Sequence, residues 1–148
     1  MISVVQRVLQ ASVTVEAEGY CAQIRRGLCV LLGVEQGDGD PQADWMAGKI
    51  ARLRIFPDEQ DKMNRSVDDI DGEVLVVSQF TLAGDCSRGR RPGFDHAAAP
   101  EDAQRLYQKF VGKLAESKLN IQEGRFGAHM QVDIVNDGPV TFILERGP

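Results

Sequence analysis

No apolar run in this sequence is long enough to cross a bilayer; the longest, Leu28 to Val34, falls far short of the ~20 residues required. Met1 to Arg7 contains no basic stretch leading into an apolar one, so no secretion signal is read and a cytoplasmic protein is expected. Cysteine is scarce. The three present, Cys21, Cys29 and Cys86, are odd in number and lack C-x2-C spacing, which excludes a fully paired disulfide framework and favours a reducing compartment. In that setting the sequon Asn64-Arg65-Ser66 is a chance match. There are only two histidines, His96 and His129, and no HxH, HExxH or EF-hand spacing, so neither a metal nor another cofactor is expected. A Ser-His-Asp order and a GxSxG elbow are also missing. Nor is there an excess of positive charge: the net charge of −5 argues against a protein that coats nucleic acid nonspecifically.

What remains is an ordinary globular composition, 43% hydrophobic and 26% charged over 148 residues. A chain of this length buries roughly 68–70% of its unfolded surface and needs no staples. Val4 to Val15 is rich in β-branched residues and reads as two short strands or one bent strand. Glu18-Gly19 marks a hairpin turn, with Tyr20 to Arg26 returning, and Leu28 to Val34 suits a strand covered on both faces. Asp40-Pro41 predicts a helix start with Asp40 as the cap, followed by Met46, Ile50 and Leu53 along one face. Phe56-Pro57-Asp58 closes that element, Lys62 to Asp71 predicts a short hairpin, and Val74 to Val77 a buried strand. Pro100-Glu101-Asp102 opens a second helix whose stripe is Ala103, Leu106, Tyr107, Phe110, Val111 and Leu114. Met130 to Ile134 alternates with period two, Asn136 to Pro139 reads as a turn, and Val140 to Leu144 as a last strand. With no repeat or linker, the expected fold is one α+β domain over residues 1–148, a strand-dominated, barrel-like sheet with two main helices packed on it.

Three segments carry polar chemistry. Ser78-Gln79-Phe80-Thr81-Leu82 places two hydroxyls and an amide at the end of a buried strand, where they either line a site or cap the strand. Arg88-Gly89-Arg90-Arg91-Pro92-Gly93-Phe94 is a basic loop whose guanidinium forks match phosphate oxygens; its bland reading is a solvated charged loop. Phe94 can stack on a base or anchor the loop, and the sequence does not choose between them. Asn136-Asp137-Gly138-Pro139-Val140-Thr141 is by itself only a turn signal. His96 and His129 are each open to a general-base role or a structural one.

In order and across nearly the whole length, these segments resemble the D-aminoacyl-tRNA deacylase family. The match combines Ser78–Leu82, Gly89-Arg90-Arg91-Pro92, Gly127-Ala128-His129-Met130 and Asn136–Thr141, with Arg7-Val8 and Leu31–Val34 as opening strands. Gly93 departs from it, standing where serine is more usual. The resemblance implies a homodimer with active sites at the interface, charged tRNA as substrate, and no membrane association. It implies a cis bond at Gly138-Pro139, whose carbonyls enter the partner's pocket, engage the substrate α-amino group and leave no room for an L side chain. It assigns Ser78, Gln79, Phe80 and Thr81 to the catalytic segment, with backbone N–H groups stabilising the oxyanion. Phe126 and Met130 join Gly138 and Pro139 as substrate-binding residues, and Arg88, Arg90 and Arg91 become tRNA contacts. Thr81 has no base evident beside it, so water aided by the 2′-hydroxyl of the terminal adenosine is the preferred attacking group. Glycine has no side chain to exclude, so glycyl-tRNA is an expected second substrate. Two rival readings remain: a hydrolase of another ester or amide with Thr81 or Ser78 as nucleophile and His129 as base, and a noncatalytic, strand-rich dimerisation or RNA-binding module using the Arg88–Arg91 loop.

Overall fold

The computed structural model describes residues 1–148. Its organising strand is β1 (Ile2–Val15), one continuous element with irregular pairing near its middle. Antiparallel to its first half runs β3 (Gly27–Gly33), and to its second half β2 (Tyr20–Ile24). Beyond β3 the sheet becomes parallel, through β6 (Glu73–Ser78) and then β7 (Asn120–Glu123). Along the other side of β1 lies β8 (Gln131–Glu145), the outer strand at that edge. A small separate hairpin pairs β4 (Phe56–Pro57) with β5 (Met63–Arg65).

Parallel neighbours need crossovers, and the two helices supply them. Helix α1 (Asp40–Ala51) lies between β3 and β6, and α2 (Pro100–Ala115) between β6 and β7. The apolar stripe predicted for α2 is its buried face: Ala103, Leu106, Tyr107, Phe110, Val111 and Leu114. They join α1 residues Ala43, Met46, Ala47 and Ile50 in the larger core cluster on one face of the sheet. A second cluster, Val8, Ala11, Val13, Ala22, Ile24, Cys29, Leu75 and Val77, fills the concavity where β1, β2 and β8 curl over the other face. The sheet is barrel-like, as expected, and no helix is long and apolar enough to cross a membrane.

Three local readings change. Gly39, not Asp40, caps α1; its N–H donates to Gln42 Oε1 at 3.0 Å. Asp40 is drawn into an ion pair with Arg105 at 2.7 Å. Asn136–Pro139 does not separate two strands, because β8 continues through it and pairs with β1 on both sides, with a shift of register between them. Gln6 pairs with Thr141 and Val8 with Asn136, so Arg7 alone stands opposite Asp137 to Val140 and the surplus residues bulge outward. Strand β7, with Ile121 as its single apolar residue, went unread in the sequence.

Candidate active site

A pocket of about 440 Å³ opens beyond the carboxyl ends of β3 and β6. Its floor follows from the local chain path. Residues Val74 to Val77 are buried on both faces, which drives β6 through the core until Ser78. Gln79 N–H then donates to Leu32 O at 2.8 Å, extending the pairing by one residue. A 3-10 turn over Phe80–Ala83 next swings the chain outward. Ser78 and Gln79 are left half-buried in the pocket, with Phe80 at its rim and Thr81 exposed beside it. The N–H groups of Phe80 and Thr81 open that turn, where the helical pattern supplies no acceptor.

The Thr81 hydroxyl accepts a hydrogen bond from the Gln79 side-chain amide. An amide takes no proton from a hydroxyl, so this partner orients Thr81 without activating it. Neither histidine is hydrogen-bonded to Ser78 or Thr81. His129 lines the pocket but is exposed; His96 lies outside the lining and contributes its backbone carbonyl to Gln36 N at 2.9 Å.

The opposite wall is apolar. Pro100, Ala103 and Tyr107 of α2 line it together with Phe126, Met130 and Val132. Tyr107 and Phe126 rings meet at 5.8 Å, and the Tyr107 hydroxyl donates to Val76 O at 3.1 Å. Burial, with the nearby Glu123 adding to it, pushes the Tyr107 hydroxyl well above its ordinary range, so it stays a proton donor. The α2 stripe had marked Tyr107 as core; its second role at the pocket had no signal in the sequence.

The arginine loop stands next to this pocket. Asp85 and Gly93 close its base by reciprocal backbone bonds of 2.8 and 2.9 Å. Hydrogen bonding from Ser87 holds the Asp85 carboxyl below its usual range. Arg88, Arg90 and Arg91 are all exposed on the loop, and Phe94 follows it with its ring 5.1 Å from that of Phe80.

Gly138 and Pro139 do not enter this pocket. The bond between them is cis, and both residues are exposed on the β8 bulge. The bulge lies at the level of Leu28 on β3, five residues from Gly33 near the pocket mouth, or about 17 Å at ~3.3 Å per residue. Arg7 fixes it there. Its Nε donates to Asp137 O at 3.1 Å and lies 3.2 Å from Asp137 Oδ2, while Nη1 donates to Ile55 O at 2.7 Å. Asn136 closes the bulge from within, accepting from Val140 N at 2.8 Å and donating to Thr141 Oγ1 at 3.0 Å. Gly138 has φ +130°, and a Cβ there would lie 2.7 Å from Val140 Cγ2. Arg7, a charged residue inside an apolar strand, was the one legible sign of this support.

A polar segment at the end of a buried strand beside an apolar wall leaves a cleft with room for a small substrate, the form of a small-molecule or ester-hydrolysing site. The comparisons identify the class member. The family model described as D-Tyr-tRNA(Tyr) deacylase matches residues 4–145, and the chain belongs to that family of hydrolases acting on aminoacyl-tRNA esters. It is 57% identical to the D-aminoacyl-tRNA deacylase of Geobacter sp. (strain M21), covering 100% of this chain and 99% of the relative. It is 58% identical to that of Geotalea daltonii (strain DSM 22248 / JCM 15807 / FRC-32), covering 98% and 96%. A solved structure described as c-Myc DNA Unwinding Element Binding Protein superposes with a TM-score of 0.91 at 44% identity, covering all of both chains.

Proposed function

We propose that this protein removes D-amino acids from tRNA by hydrolysing the ester to the 3′ oxygen of the terminal adenosine, and that it rejects L-aminoacyl-tRNA. The observation that carries the reading is the pairing of the Ser78–Thr81 segment, whose last two N–H groups open a 3-10 turn, with an apolar pocket of about 440 Å³. Water adds to the ester carbonyl, and the N–H groups of Phe80 and Thr81 receive the negative charge that forms on its oxygen. Collapse breaks the bond to the 3′ oxygen, which takes up the proton released by the water through the neighbouring 2′-hydroxyl. The products are the free D-amino acid and tRNA. Ser78 and Gln79 orient the ester, Phe126 and Met130 hold its apolar parts, and Arg88, Arg90 and Arg91 take phosphates of the acceptor end. Glycyl-tRNA fits the same logic, since no side chain has to be turned away.

A second copy of the chain completes the site in this reading. Gly138 and Pro139 lie too far along the sheet to reach the pocket of their own chain. They also protrude from an outer strand whose surface shows Val135, Phe142 and Ile143. Such a long apolar edge fits pairing in a homodimer. The projecting carbonyls of one protomer then meet the α-amino group in its partner's pocket and set the handedness by exclusion.

Purified protein is to be given matched D- and L-tyrosyl-tRNA, with and without a chelator. Loss of the D-ester alone, unchanged by chelation, is expected. Equal cleavage of both esters points to a general hydrolase, and survival of both to a binding protein.

A further inference from the structure

We infer that Phe94, together with Phe80, forms a stacking shelf for the unpaired base that precedes the terminal adenosine of the charged tRNA; this rests on the deacylase reading above. Two phenyl rings sit side by side at the surface, 5.1 Å between centroids and tilted by 58°. Phe80 is 58% exposed and Phe94 38%. Packing explains only the inner edge of Phe94. Gly84 lets it approach closely, for a Cβ at that position would lie 3.1 Å from Phe94 Cε1. The backbone on either side is pinned, Gly93 to Asp85 and Ala97 N–H to Phe94 O at 3.0 Å. The ring is therefore held in place while its outer face stays open, as a preorganised contact requires.

Its position fits one occupant. Phe80 belongs to the pocket rim, so the shelf begins where the pocket ends. A pocket of this size holds one small-molecule-sized group, here the aminoacyl nucleoside, and the nucleotide before it must pass over the rim. Arg88, Arg90 and Arg91 hang from the loop that carries Phe94, and none is engaged in an ion pair with a carboxylate. Aromatic rings for bases beside forks for phosphates are the combination that binds single-stranded nucleic acid without reading its sequence. Such tolerance suits an enzyme that must accept many tRNAs.

The test uses the D-tyrosyl 3′-esters of adenosine, of the dinucleotide CpA, and of the same dinucleotide with an abasic penultimate sugar. Stacking on an aromatic ring, roughly 1–3 kcal/mol per base, predicts that the wild type favours the CpA ester over the abasic one about tenfold in kcat/KM, borne by KM. Phe94→Tyr keeps this preference, whereas Phe94→Leu, which retains bulk without a π face, and Phe94→Ala bring the ratio close to one. Equal use of the CpA and abasic esters by the wild type overturns the shelf, and so does full preference in Phe94→Leu. Hydrolysis of D-tyrosyl-tRNA with the L-ester left intact upholds the deacylase reading whatever the base does; hydrolysis of neither removes both.

Discussion

Arg7 and Asp137 are bound twice, the Arg7 Nε meeting both the carbonyl and the carboxylate of Asp137, at 3.1 and 3.2 Å. Through Nη1 the same guanidinium reaches Ile55 O. One side chain thus ties the β8 bulge to the segment that follows α1, and so sets where Gly138 and Pro139 project. Replacing Arg7 by methionine keeps the stem but leaves three acceptors without their donor. Hydrogen bonds to a charged donor contribute about 1.5–3 kcal/mol each, so a lowered Tm is expected. If the bulge acts in the site, kcat/KM for D-tyrosyl-tRNA falls further, by about tenfold or more, and rejection of the L-ester weakens. A variant with reduced Tm and unchanged kcat/KM would confine Arg7 to stability.

Thr81 has an amide for its partner and no base. Thr81→Ala is expected to retain activity within about tenfold, since a nucleophile's loss costs orders of magnitude more. Single-turnover hydrolysis with mass analysis for an acyl adduct decides the point: a loss of several orders of magnitude together with an adduct in the wild type makes Thr81 the nucleophile.

The exposed arginines predict a salt effect. Exchanging Arg88, Arg90 and Arg91 together for alanine should raise KM for D-tyrosyl-tRNA and flatten its dependence on salt by a slope of about 0.7 per lost phosphate contact on a single strand. An unaltered slope would leave the loop a solvated one.

Cys29 is fully buried, and burial pushes its thiol from 9.0 up to about 12. Native protein should therefore react with a thiol reagent at Cys21 and Cys86 only, and unfolded protein at all three. Because the folded state holds the proton more tightly, this group's contribution is full below pH 9 and is lost as pH rises toward 12. In Cys29→Ala the alkaline decline of stability in urea titrations should be shallower; an identical decline in both proteins would contradict the assignment.

The parts of the fold legible in the sequence were those with a strong internal period. The α2 stripe, the apolar β3 run and the Val74–Val77 strand carry their burial in their own residues. The β8 bulge did not, because Asn136-Asp137-Gly138-Pro139 is locally a turn and only the unbroken β1 opposite keeps it within a strand. Likewise Asp40 looks like a cap until Arg105, distant in the chain, claims its carboxylate. The candidate site was legible where one short segment holds its polar groups, as Ser78 to Thr81 does. Of its apolar wall only Phe126 and Met130 were named, through the family resemblance; Ala97, Pro100 and Tyr107 join them from separate elements and carry no local signal. Nothing in a linear pattern announces that Gly138 and Ser78 belong to different ends of the same molecule.

That separation gives the most direct measurement. Gly138→Val, strained by φ +130° and crowded against Val140, disables the projecting bulge; Ser78→Tyr fills the pocket. Each variant alone should fail to hydrolyse D-tyrosyl-tRNA. Co-expressed, they pair at random, and each mixed dimer holds one intact pocket served by one intact bulge, so about a quarter of wild-type activity should return. The L-ester should remain untouched throughout. No recovery in mixed dimers, or full activity in either variant alone, would contradict a D-specific site built from two chains.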